Sequence, residues 1–251
     1  MKTEEIINIA IKAGEILLTS GAEIYRVEDT ITRICKSYGM ECESFVLPTG
    51  IFISAKGSGH ETISSIKRIK DRTVNLHRIE LINMFSRNLQ QNPVSYFEAV
   101  KALNDIKNMK GFNFITHAIS AGIAAFAFTL LFKGRINEGI AACIISIVIF
   151  VIKWKISEIG FFQFFEFFIS GLIAAVISLA AVRILPDLNI YQVIIGSIVI
   201  LLPGVAITNG IKDALYGDIV SSLSRLGEAV LVAIAVGAGV GIVLSVGLRW
   251  V

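Results

Sequence analysis

Five apolar stretches, all after residue 111, decide what this chain can fold into. They cover residues 112–132, 136–152, about 167–185, 190–207 and 226–248. About twenty residues of helix, at 1.5 Å each, cross the roughly 30 Å of hydrocarbon in a bilayer. The second stretch, at seventeen residues, is marginal, and the fourth is cut short by Pro203-Gly204. Charge is distributed the other way. Up to Gly111 the chain carries 15 Lys+Arg and 13 Asp+Glu, of totals of 23 and 20. With 54% apolar residues, above the roughly 45–50% of soluble proteins, the chain divides by composition. The expected fold class is a small α+β cytosolic domain, residues 1–111, followed by an α-helical integral membrane domain of about five spans, residues 112–251.

Composition also excludes partners. A net charge of +3 is too small to argue for nucleic acid. Cys35, Cys42 and Cys143 form neither an even set nor a CxxC pair, so no disulfide framework or zinc site is expected, and no cofactor. Glu4, Glu5, Lys12 and Glu15 interrupt the first apolar residues, unlike the core of a signal peptide, so the first domain is expected to stay in the cytosol. With that orientation the inner flanks hold Lys107, Lys110, Lys153, Lys155, Lys212 and Arg225, and the outer ones Lys133, Arg135, Arg183 and Arg249, a modest inside excess.

Along the first domain, residues 4–20 read as an amphipathic helix with Ile7, Ala10, Ile11, Leu17 and Leu18 on one face, stopped at Gly21. Residues 23–38 repeat the pattern and place Arg26, Thr30 and Arg33 together on a face expected to be solvated. Short apolar runs around Pro48-Thr49-Gly50 predict two strands and a turn, and a third strand is expected over residues 61–69. Helical spacing returns over residues 75–89, and Ser95 with Glu98 has capping-box form for a last helix to about Ile106. Gly57-Ser58-Gly59 is too short for a phosphate loop, and GxxxxGK[ST] occurs nowhere, so an ATP motor is not expected in this chain. Glu28, Asp29, His60 and His77 are the groups an enzyme could use, but no HExxH or GxSxG motif supports one, and His77 is expected to be a surface residue.

In the membrane half, the phenylalanines at 161, 162, 164, 165, 167 and 168, with Trp154, predict an interfacial aromatic belt. Gly237, Gly239 and Gly241 predict close packing of the last span on another helix, of this chain or of a partner. The break at Pro203-Gly204 is the feature with most chemical content. Proline lacks an N–H, so the helix should kink or unwind there. Beyond it come Thr208, Asn209, Lys212, Asp213, Asp218 and Arg225. Ionisable groups beside a broken span are how carriers build substrate and ion sites, and each costs roughly 2.5–3.5 kcal/mol at mid-membrane. A helix resumed after the break would set Asp213 about 15 Å from Pro203, near a cytosolic mouth that water reaches. There it could meet a substrate ammonium or take up a proton; otherwise it pairs with Lys212 or Arg225.

These residues also carry a resemblance. Leu201-Leu202-Pro203-Gly204-Val205, Thr208-Asn209, Asp213 and Gly217-Asp218 resemble the membrane half of the bacterial threonine/serine exporter family, and Gly21, Arg26-Val27-Glu28, Asn75-Leu76 and Arg78 resemble its cytosolic half. The resemblance covers nearly the whole chain and is closest to the larger subunit of the split, two-component type. It implies a secondary exporter subunit in the bacterial inner membrane, moving a small polar metabolite of the threonine/serine kind. A smaller membrane subunit or a homo-oligomer would complete it. Dicarboxylate (succinate-like) export is the alternative the split type implies. A membrane-anchored cytosolic hydrolase or sensor is the reading from a different class, and it would have no use for Asp213 beside a broken span.

Overall fold

Alternating and helical periodicities resolve into ten α-helices and three strands in the computed structural model, which describes residues 1–56, 62–159 and 162–247. Gly57, Ser58, Gly59, His60, Glu61, Phe161 and Arg249 lie outside the described residues. Contacts divide the chain into a unit of Met1–Lys110 with Val205–Leu226, and a second of Gly111–Gly204 with the residues from Gly227 onward.

The first unit is organised around α1 (Thr3–Thr19). The expectation of one apolar face was too narrow. Ile6, Ile9, Ala13 and Ile16 are buried as well as the five predicted residues, because α1 is covered from several sides and not laid on a single surface. Its neighbours are α2 (Ile24–Ser37), β2 (Gly50–Lys56), β3 (Thr62–Arg68), α3 (Leu76–Gln91) and α4 (Tyr96–Asn108). Gly14 permits the closest approach, since a Cβ there would sit 3.0 Å from Ile31 and 3.1 Å from Ile51. The sheet, in the order β1 (Cys42–Leu47), β2, β3, is antiparallel throughout. Ser95 caps α4 with Glu98 reaching back to its N–H at 3.0 Å, the capping box expected from the sequence. Thr30 is buried, so the face it shares with Arg26 and Arg33 is not the solvated one predicted. The unit also contains α9 (Gly204–Leu215) from Val205 onward and the opening turns of α10 (Ile219–Gly247).

The second unit comprises α5 (Phe114–Leu131), α6 (Ile136–Ile159), α7 (Gln163–Ile184), α8 (Ile190–Ile198) with a 3-10 turn at Val199–Leu201, and the remainder of α10. Among the described residues four helices, α5, α6, α7 and α10, are long and apolar enough to cross a membrane, or five if α8 and α9 count as one broken span. Two limits differ from the hydropathy reading. The second span is a 24-residue helix, not a marginal seventeen, because the chain continues helical through Lys153 and Lys155. Lys153 holds its ammonium 4.0 Å from the centre of the Phe167 ring. Phe167 is therefore a buried core residue and not part of an aromatic belt, whereas Phe162 and Phe165 are exposed. The last span begins at Ile219, seven residues before the predicted start.

Small residues bring α7 and α10 together. A Cβ on Gly239 would lie 2.3 Å from the Phe168 carbonyl oxygen, and one on Gly171 would lie 2.6 Å from that of Val236. Only glycine allows backbones that near. The predicted glycine packing thus occurs within the chain and through Gly239; a Cβ on Gly237 or Gly241 would meet nothing within 4 Å.

Candidate functional site

The break that shapes the site is local. Helix α8 tightens into its 3-10 turn, Leu202 is extended (φ −71°, ψ 136°), and α9 starts at Gly204. Proline accounts for this, because it has no N–H to continue the ladder. Gly204 contributes no special conformation: its φ is not in the left-handed region, and a Cβ there would meet nothing within 4 Å. Helix α9 ends where Gly217 adopts φ +92°, with its N–H donating to Ala214 and that of Asp218 to Asp213 at 2.8 Å, a Schellman closure. Asp218 then stands immediately before α10. Gly210 lets α9 lie against the start of α10, since a Cβ there would be 3.0 Å from Leu226.

This corner presents one face of α9 to the loop between α1 and α2. Gly21 turns that loop with φ +84°, and the space beside it is closed by the Thr73 carbonyl, 3.0 Å from where a Cβ would be. Asn209 donates to the Gly21 carbonyl at 2.8 Å, and Arg225 to the Ala22 carbonyl at 2.7 Å. Asp213 accepts from the Ile24 N–H at 3.0 Å and pairs through its other oxygen with Arg225 at 2.9 Å. Its carboxylate therefore caps the N-terminus of α2 from another part of the chain, where the helix dipole favours negative charge. Lys212 reaches Glu23 at 2.9 Å, Arg26 reaches the same carboxylate at 2.7 Å, and Tyr25 stacks on Tyr216 at 3.8 Å.

The expectation that water reaches Asp213 is corrected by this geometry. Asp213 is fully buried and Arg225 is 5% exposed, because the loop at residues 21–24 covers them. Burying a charge pair requires such partners on every side, and removing one partner from a buried pair typically costs about 3–5 kcal/mol. Glu23 sits at the edge of the same knot. Burial acts to raise its carboxyl, but hydrogen bonds from Arg26 and Lys212 outweigh that and hold it at about 2.

The other sequence-selected residues have separate places. Glu28 accepts from the Val46 N–H at 2.9 Å and ties α2 to β1; burial pushes its carboxyl up, the Val46 bond opposes this, and Asp218 adds a like charge. Asn75 caps α3 by accepting from the Arg78 N–H, and its own N–H donates to Ser20 at the end of α1. Arg78 donates to the Met109 carbonyl at 3.0 Å. Thr208 is exposed. His77 is exposed beside Glu80, as expected of a surface histidine. Among the described residues no group of three His, Cys, Asp or Glu is placed to hold a metal. Sequence reasoning missed Glu23, Tyr25 and Tyr216, whereas Arg225 was weighed as a partner of Asp213 and is one.

Residues 21–26 and 209–225, far apart in sequence, thus form one hydrogen-bonded assembly, and both segments carry motifs of the resemblance. Residues 8–247 match the family model described as "Putative threonine/serine exporter". The chain belongs to the threonine/serine exporter family. It is 24% identical to the "Probable threonine/serine exporter" of Mycobacterium tuberculosis, over 98% of this chain and 46% of that protein. It is 22% identical to the "Threonine/serine exporter" of Corynebacterium glutamicum, over 96% of this chain and 51% of that protein. It is also 23% identical to the "Probable succinate transporter subunit YjjP" of Escherichia coli, over the full length of both. The chain therefore spans about half the length of the two exporters and the whole of the transporter subunit. No solved structure matches it.

Proposed function

We propose that the chain is the larger subunit of a secondary exporter in the bacterial inner membrane, moving small polar metabolites of the threonine/serine kind. In this reading the first unit lies in the cytosol and a smaller membrane subunit supplies further helices. The observation that carries it is the broken helix: a span interrupted at Pro203 leads directly into a buried, ion-paired carboxylate and guanidinium. A mere anchor has no need of a broken span joined to such a pair. Alternating access needs an element with two arrangements, and the α9 corner is a candidate because its closure depends on a few charged bonds to the loop at residues 21–24. Opening it would expose Asp213 and Arg225 together, offering one acidic and one basic group to a zwitterionic substrate. The oligomeric completion is supported by the length relation to the relatives and by the word "subunit" in the name of one of them.

Succinate-type export is the second reading, favoured by the full-length likeness to that subunit. Counterflow in proteoliposomes, with labelled threonine, serine or succinate and with the smaller subunit added or withheld, separates these readings. The expected result is threonine or serine exchange that falls about tenfold, 1.4 kcal/mol of barrier, in Asp213→Asn when flux is normalised to the folded protein in the membrane. Succinate exchange alone transfers the assignment to the dicarboxylate reading. No exchange of any substrate with both subunits present rejects the exporter.

A further inference from the structure

The outer face of the sheet is where the first unit departs from its own alternation. Val46, Ile51, Ile53 and Ala55 point into the core, and a half-covered antiparallel sheet normally carries polar side chains opposite. Here the register lines up Phe45, Phe52 and Ile66 across all three strands, and they are 59%, 40% and 69% exposed. The two rings lie 6.1 Å apart and floor a hollow of about 600 Å³. On one side of this apolar row runs Glu43, Ser54, Ser64; on the other runs Leu47, Gly50, Arg68. Glu43 and Arg68, both exposed, therefore stand at diagonally opposite corners, with Phe52 at the centre.

We propose that this face is an interface between two copies of the chain, stacked sheet on sheet about a two-fold axis through Phe52. The charge pattern selects the second copy. An in-plane axis at about 45° to the strands brings Glu43 of each copy over Arg68 of the other, and the strands then cross near a right angle, one of the two ways sheets pack. The apolar row is buried at the centre and the two opposite charges close the rim. The inference is independent of the transport reading, since it rests on the sheet alone.

The test measures the mass of the full-length chain in detergent and in nanodiscs by native mass spectrometry. A dimer is expected, and Phe52→Lys should raise its dissociation constant by at least about tenfold. Glu43→Arg alone should weaken it, and Glu43→Arg/Arg68→Glu should restore it, as a cross-copy pair requires. Ile66→Ser replaces Phe52→Lys if the circular dichroism of the latter shows misfolding. A wild-type monomer at micromolar concentration overturns the proposal, as does a dimer indifferent to these substitutions. A monomer whose strands gain hydrogen-exchange protection only with lipid vesicles overturns it in favour of a bilayer contact.

Discussion

The two units differ in how far their buried polar groups reach for partners. In the second, most buried hydroxyls turn back onto their own helices: Thr129 donates to Ala125, Ser170 to Glu166 and Ser178 to Ala174, each four residues earlier, while Ser146 of α6 reaches the Ala121 carbonyl of neighbouring α5. Around α9 the partners are far away in sequence: Asn209 bonds Gly21, Asp213 bonds Ile24 and Arg225 bonds Ala22. A helix in lipid must find its partners within itself or on an adjoining helix, because the surrounding hydrocarbon offers none. Residues 205–226 do the reverse, and their ties run to the N-terminal segment although they link the fourth and fifth apolar stretches. The lesson is that polar partners, more than apolar content, decide with which unit a segment folds.

Substitutions should break the two regions unequally. Arg225→Ala leaves Asp213 buried without its cation and should lower stability by about 3–5 kcal/mol, measured by thermal unfolding in detergent. Acid should loosen the same knot. Glu23 is held at about 2 against an ordinary value of 4.5, so its contribution is full above pH 4.5 and disappears as pH falls toward 2. That contribution is up to about 3 kcal/mol, and Glu23→Gln should remove this part of the acid dependence. In the second unit Gly239→Val forces α10 away from α7 and should cost about 1–3 kcal/mol, seen as a lower melting temperature. Ser178→Ala removes only a bond within its own helix and should change stability by less than about 1 kcal/mol.

Much of this was legible in the sequence, for local reasons. The turn at Pro48-Thr49, the Ser95 cap and the break at Pro203 follow from residues within a turn of each other, and the structure has all three. The length of α6 was not legible, because a hydropathy window stops at Lys153 while the helix does not, and the cation finds Phe167 on another helix. The knot was half legible. Asp213 stood out beside the break and Arg225 was weighed as its partner, but the Ile24 N–H that completes its coordination is 189 residues away, and one sequence carries no record of such a pairing.

The most direct test is a double-mutant cycle on the charge pair, with Asp213→Asn, Arg225→Gln and the two combined, read by thermal unfolding of the purified chain. If the N-terminal loop and α9 are held together through this pair, each single substitution is strongly destabilising, and the double loses less than their sum by about 1–3 kcal/mol of coupling. Additive losses would contradict the account, since they would mean that the carboxylate and guanidinium act independently and that α9 is held by something else.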